Sequence, residues 1–443
     1  MKMIKSLCTG IAAIALAGTV LSTGTWAEDV AITGGTAFTN GGKGKVENAT
    51  VLISSSGIVS VVSGGPVPAG YRTVDASGKW VTAGFMVAGS SLGLGEVSLS
   101  GDNNDARADK AKDGIVLDVA YSLNPKNAII ANTRIEGVTR AVTQFSRSKD
   151  NWIGLGAVIQ LGGDSTDKMI THNKAFLHLD VDEGAARSNG GSRSAMWAEV
   201  IKKLDGAKPK PKSDEDNKAA ENDENDEKKE GNKKKAKEKK GGDKILAELF
   251  SDNLPLPLQV NAHRVSDIRQ VIKLKERYGI EVMLTGAREA WMVADELAAA
   301  GIPVLIDPLD NLPSRFDMLA STSASAARLH AAGVKVAFLP PDTLNARLVV
   351  QSAGNAVAMG MPWEAAIDAL TVNAAEIFGV SDHYGTLTEG KVADVVVWDG
   401  DPLEVMTSPD HVFIQGEEIP LVSRQTKLRD RYKEIPRAPG LKK

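Results

Sequence analysis

Cysteine is nearly missing from this chain: among its 443 residues only Cys8 is one. Beyond the first few residues, a cysteine nucleophile, a disulfide and a thiolate metal site are therefore excluded. Histidine is scarce as well. The six are His172, His178, His263, His330, His383 and His411. No two are spaced H-x-H or H-x-x-x-H, so local metal pairing has no support. No G-x-G-x-x-G follows a strand candidate, and "GGDS" and "SNGGS" lack the lysine and the frame of a P-loop, so they read as turns. Charge of one sign is also lacking. A formal charge of −4 calls for neither nucleic acid nor an acidic membrane surface as an obligate partner.

Long hydrophobic runs are missing with one exception. "IAAIALAGTVL", from Ile11 to Leu21, follows Lys2 and Lys5 and leads to "GTWA" ahead of Glu28 and Asp29. The run is short for a membrane span, and this order of features is that of a cleaved secretory signal, 1–27, cut after Ala27. Cys8 precedes the apolar run, so it does not sit where a lipid-attachment cysteine would. The expectation is an exported, periplasmic protein with no membrane contact after cleavage.

What remains has ample core material, with 42% hydrophobic residues. Residues 28–80 read as strands and turns, with "SSSG" a hairpin turn inside "ATVLISSSGIVSVV". From Val81 onward, strand candidates alternate with helix candidates. "GVTRAVTQF", "GAVIQLG", "KAFLHLDV", "LPLQVNA", "IEVMLTG", "IPVLIDP" and "VKVAFLP" are the strands. "SDIRQVIKLKERYG" illustrates the helices: Ile268, Val271 and Ile272 fall at helical spacing, Lys275 can lay its stem along the core edge, and Gly279 closes the turn. "MPWEAAIDALTVNAAEIFG" reads as one helix from Pro362 to Gly379. Strand character returns after it, in "YGTLTEGKVADVVVWDGDPLE" and "HVFIQGEEIPLV". Such alternation means a parallel sheet, either closed as a barrel or open and doubly wound.

One segment, 207–242, contains alanine but no larger apolar residue, and its charges are blocked: acids from Asp214 to Glu230, lysines from Lys233 to Lys240. It cannot offset its ordering entropy by burial, so it reads as a disordered insertion, either a solvated loop or a docking arm for an oppositely charged partner.

Two stretches resemble the amidohydrolase superfamily. "SGKWVTAGFMVAGSS" is similar to its opening segment, G-x-x-V-T-P-G-x-I-D-x-H-x-H. "ALTVNAAEIFGVSDHYGTLTEGKVADVVVWDGDP" is similar to its closing segment, and "VNAHRVSDIRQVIKLKERYGI" resembles the exported, imidazolonepropionase-like branch. The resemblance implies an α/β fold: an eight-stranded β/α (TIM-like) barrel over 81–380, flanked by a composite β-sandwich from 28–80 and 381–435. It also implies metal-assisted hydrolysis of carbon–nitrogen bonds, in which strand-end histidines hold a zinc ion and an aspartate takes a proton from its water.

Position by position, the ligands of that metal are replaced here. The two first-strand histidines correspond to Gly89 and Ser91, and the aspartate between the flanking residues to Val87. The next strand-end histidine falls on Asn261 or, with a shift of two, on His263. A further one falls on Thr285 or Gly286, and the last aspartate on Pro340 or Pro341, with Asp342 just beyond. The expectation is that no metal and no other cofactor is held. The chain then reads as a non-catalytic binding or partner subunit, in a hetero-oligomer with an active amidohydrolase relative. The competing reading is a carbon–nitrogen hydrolase with a rearranged site. Its acid–base candidates are His263, Asp307 and Asp342, with Asn261, Arg264 and Arg288 on the substrate. The bland alternative for the aspartates is helix capping, and for His172, His178 and His330 a place on the surface.

Overall fold

The computed structural model describes residues 28–97, 104–209 and 241–433. The expected signal segment and the body of the expected insertion lie outside the described residues. At the insertion's edges, Ala207 closes one helix and the next begins at Gly241.

Five strands come first: β1 (Val30–Phe38), β2 (Lys45–Ser54), β3 (Gly57–Ser63), β4 (Arg72–Asp75) and β5 (Trp80–Ala83). The β2–β3 turn at Ser55 and Ser56 is the expected hairpin. There follow β6 (Phe85–Ser90), β7 (Arg107–Ala108), α1 (Ala128–Arg134), β8 (Val138–Thr143), β9 (Arg147–Ser148), β10 (Trp152–Gln160), α2 (Thr166–Met169) and β11 (Ile170–Asp180). Next come α3 (Glu183–Ser188), α4 (Arg193–Ala207), α5 (Gly241–Glu248), β12 (Leu258–Ala262), α6 (Val265–Tyr278), β13 (Val282–Gly286), α7 (Ala294–Ala299) and β14 (Val304–Ile306). The chain closes with α8 (Ser325–Ala331), β15 (Val336–Phe338), α9 (Val349–Ala358), α10 (Trp363–Leu370), α11 (Val372–Ile377), β16 (Val395–Trp398), β17 (Pro409–Ile414), β18 (Glu417–Glu418) and α12 (Arg424–Lys433).

Strands from the two ends share one sheet, in the order β18-β17-β16-β5-β1-β2-β3, with β4 also on β1. The sheet branches because β1 pairs β4 through Val30–Thr33 and β5 through Thr36–Phe38. Hydrogen bonding thus joins the material expected to form a sandwich into a single sheet with its own apolar core, including Ile32, Val51, Val395 and Phe413.

The central sheet has eight strands, ordered β15-β14-β13-β12-β11-β10-β8-β6. It curls until its ends meet: the Ser91 N–H, just past β6, donates to Thr343 O at 3.0 Å, beyond β15. The expected all-parallel barrel holds for every strand except β10, which is antiparallel to both β8 and β11. Its two connections, 144–151 and 161–169, contain no crossover helix longer than α2, and short links of that kind join antiparallel neighbours. The helices pack where their periodicity places them. In α6, Ile268, Val271 and Ile272 are buried, and Gly279 takes φ 65° to end the helix. The single helix expected over 362–379 is two, α10 and α11, because Thr371 leaves helical geometry while its hydroxyl donates to Ile367 O at 2.6 Å.

Barrel and terminal sheet are locked together by buried side chains. The Arg140 guanidinium, from β8, donates to Asp394 Oδ2 at 2.6 Å, and both side chains are almost wholly buried. Trp398 of β16 stacks on Phe85 of β6 at 5.0 Å and donates to Thr82 Oγ1 at 2.9 Å. Gly137 faces that indole with φ 83°, and a Cβ there would lie 2.2 Å from it, so only glycine fits. Among the described residues, no helix is long and apolar enough to cross a membrane.

Candidate functional site at the barrel mouth

Alternation along the strands decides what faces the barrel axis. Phe176 of β11 packs with Met86, Val142, Met283 and Leu305 in the interior core. Two and four residues further on the same face come His178 and Asp180. By the same count Gln259 and Asn261 on β12, Thr285 on β13, and Asp307 and Leu339 just past β14 and β15 look inward. A polar layer therefore sits on the apolar one, at the carboxyl ends of the strands, where β/α barrels carry function.

The lower part of this layer is fully enclosed. Gln259 Nε2 donates to Gln144 Oε1 at 2.8 Å. Both ring nitrogens of His178 and Gln259 Oε1 have no hydrogen-bond partner. His178 was expected at the surface; it is instead only 7% exposed, because strand alternation turns it inward beside Gln259. Burial pushes its pKa down to about 4.

Above it lies an acid pair. Asp180 Oδ1 accepts from Asn261 Nδ2 at 3.2 Å and from the Asp182 N–H at 3.0 Å. Asp180 keeps some surface open toward the mouth, but the protein around it desolvates the carboxyl. That burial, and then the charge of Asp182, raise its pKa to about 7. Burial alone would raise Asp182 too, yet the Ala185 N–H and the paired Arg315 hold it below the usual range. Asp317, 1% exposed, accepts from the Glu183 N–H at 2.7 Å and lies within 3.7 Å of both Arg193 and Arg315.

Asn261 and His263 converge on Gly286. A Cβ built there, at φ 76°, would stand 2.5 Å from His263 Cε1 and 2.7 Å from Asn261 Oδ1. His263 Nδ1 is buried without a partner. Burial lowers the His263 pKa to about 4; Asp317 and Asp182 oppose the shift, and Arg288 and Arg315 add to it. Arg288 pairs with Asp310, and burial lowers its pKa to about 10. Asp307 accepts from the Leu309 N–H at 3.0 Å and from Ser352 Oγ at 3.2 Å, and burial raises its pKa.

The structure thus gathers Asn261, His263, Arg288 and Asp307 around one mouth. It does not bring in Asp342, which is exposed and accepts from the Leu344 N–H at 2.9 Å and from Asn345 Nδ2 at 2.7 Å, as a loop cap does. Nor does it bring in Arg264, which bonds Ser266 at 2.6 Å at the start of α6. Sequence reasoning passed over Asp180, Asp182, Arg315 and Asp317. The first two were within reach, since "HLDVD" ends a strand candidate with two carboxylates.

At the first strand, Gly89 offers no side chain, and a Cβ there would lie 2.7 Å from Leu339 Cδ2. Ser91, 2% exposed, donates its hydroxyl to Gln144 O at 3.3 Å. The stretch Gly89–Gly93 has G-x-S-x-G spacing, contrary to the expectation that the chain contains no such elbow, but no histidine hydrogen-bonds Ser91 among the described residues. No group of three or more His, Asp or Glu side chains is arranged to hold a metal ion among the described residues.

The described residues form a nearly closed β/α barrel with a polar layer at the carboxyl ends of its strands. Residues 228–419 match the amidohydrolase family. In fold, the chain is similar to an amidohydrolase from Thermotoga maritima MSB8, with TM-score 0.75 and 22% identity over 89% of this chain and 100% of that one. It is also similar to molinate hydrolase, with TM-score 0.53 and 17% identity over 94% of this chain and 100% of that one. Amidohydrolase tasK of Hapsidospora irregularis is 28% identical over 166 residues, 36% of this chain. The match spans 17% of that relative's length. Residues 228–419 thus carry a sequence match to the amidohydrolase family, and the chain has the fold of the Thermotoga amidohydrolase.

Proposed function

We propose that this chain is an amidohydrolase-fold protein without the family's metal chemistry, acting as an exported binding or partner subunit. The observation that carries the reading is what stands where the resemblance places the two first-strand histidines: Gly89 has no donor atom on a side chain, and Ser91 has only a hydroxyl. The neighbouring Ser91 hydroxyl is engaged with backbone, and Asn261 is engaged with Asp180. Neutral hydroxyl and amide groups are weak substitutes for imidazole on zinc. The residues present do not fit the metal centre that the family resemblance implies. Apolar side chains on the mouth loops, Leu312 at 74%, Phe316 at 81% and Leu319 at 63% exposed, support a partner-binding role.

The test is elemental analysis of protein purified from its native compartment, together with amidase assays on the same sample. The expected result is less than about 0.1 metal per chain, since three converging ligands are needed for tight zinc, and no turnover. One tightly held metal per chain would sink the reading.

The acid pair favours a second reading, a carbon–nitrogen hydrolase with a rearranged site. A carboxyl near pH 7 beside an ionised one is an arrangement suited to general acid–base work. Under that reading, a measured activity would fall at least about 100-fold in D180N; unchanged activity in D180N would dismiss it.

A further inference from the structure

At the opposite end of the barrel, the loops that lead into the strands surround an open bowl of about 720 Å³. That is a usual volume for a small-molecule site. Its floor is the underside of the barrel core, with Met283 and Phe378, and its walls include Leu256 and Ile377. Two residues on its rim hold left-handed backbone without being glycine: Lys174 at φ 51° and Leu254 at φ 53°. Each costs about 1 kcal/mol relative to ordinary backbone. Leu254 is 96% exposed at the bowl's edge.

The polar groups of the bowl are unevenly satisfied. Lys335 pairs with Glu376 at 2.6 Å, and Glu281 is paired by Lys275 at 3.4 Å. Among the described residues Lys174 has no carboxylate within 4.0 Å, and Glu248, a carboxylate on the α5 side of the rim, has no cation within that distance. His172, two residues before Lys174, bonds through Nδ1 to the carbonyl of Phe378 at 3.1 Å. A carbonyl only accepts, so in the neutral ring Nδ1 carries the proton and Nε2 is the acceptor.

We propose that this bowl binds a small apolar acid: a ring-sized hydrocarbon body on Leu254, Leu256 and Ile377, with its carboxylate toward the ammonium of Lys174. A hydroxyl or N–H on the ring would find its acceptor in His172 Nε2. The bowl lies at the far end of the barrel from the polar mouth and does not depend on what the mouth does.

The test titrates the full chain with 2-naphthoate, 6-hydroxy-2-naphthoate and the neutral 2-naphthalenemethanol, read by ligand fluorescence and calorimetry. The acid is expected to bind at least about tenfold more tightly than the alcohol, and the hydroxy acid more tightly still. K174E and L254D alter exposed side chains and are expected to leave the fold intact, checked by thermal unfolding. Each is expected to weaken naphthoate by about tenfold or more, and K174E to remove the preference for acid over alcohol. Equal affinity for acid and alcohol, or naphthoate affinity unchanged within about twofold in both variants, overturns the proposal.

Discussion

Replacing Asp394 by alanine is expected to destabilise the protein by about 3–5 kcal/mol, because it strands a buried guanidinium. Arg140 is 2% exposed, and its Nε donates to Asp394 at 2.6 Å. Tyr384 covers the guanidinium at 3.4 Å but cannot replace the lost charge. Asp394 Oδ1 also accepts from the Gln415 N–H at 2.9 Å, so the truncation orphans a backbone donor in the terminal sheet as well. The pair joins β8 of the barrel to the segment leading into β16, so the loss is expected in the cooperative unfolding of both parts. Urea unfolding of D394A measures it. Replacing both partners together, R140M with D394L, is expected to recover much of the loss, since apolar groups leave no uncompensated charge. A D394A cost below about 1 kcal/mol would place the pair among ordinary surface contacts.

Much of this fold is legible in the sequence because burial periodicity is local. The strand candidates "GVTRAVTQF", "LPLQVNA" and "IPVLIDP" all contain barrel strands, and α6 ends at the glycine that periodicity selects. Direction is not local. Nothing in "GAVIQLG" says that it runs against its neighbours; the connections say so, and only once their lengths are known. The break between α10 and α11 is likewise invisible in a run of helix formers, since it depends on how Thr371 meets Ile367.

At the mouth, Asn261, His263, Arg288 and Asp307 follow from the rule that strand ends carry function. Asp342 obeys the same rule and is a loop cap, because its loop supplies an N–H and an amide before the mouth can. Arg315 and Asp317 lie at a single 3-10 turn, Phe316–Met318, too short to leave a periodic pattern, and only tertiary packing brings them to Asp182 and His263.

Between about pH 6.5 and pH 4, the fold is expected to lose about 1.4 kcal/mol of stability for each unit of acidification. His178 and His263 carry the effect. In the unfolded chain each takes a proton below its ordinary value of 6.5, but burial keeps both neutral in the folded protein until about pH 4. Their contribution is complete above pH 6.5 and disappears as the pH falls toward 4. Asp180 runs the other way: its folded carboxyl titrates at about 7 against 3.8 when unfolded, so within the window the folded state holds a proton that the unfolded state lacks. Two protons favour the unfolded state on acidification and one opposes, which leaves a net slope of one. Asp307 and Asp368, also raised by burial, lean with Asp180, so the slope becomes shallower toward the acid end of the window. Urea unfolding at stepped pH reads it directly. D180N is expected to double the slope, to about 2.7 kcal/mol per unit. H178L removes one histidine proton, so the slope should fall nearly to zero. It also replaces a buried ring with no hydrogen-bond partner, so stability at pH 7 should rise by about 1 kcal/mol or more. An H178L slope equal to that of the parent would mean that His178 titrates alike in both states, and the enclosed polar layer inside the barrel would have to be solvated.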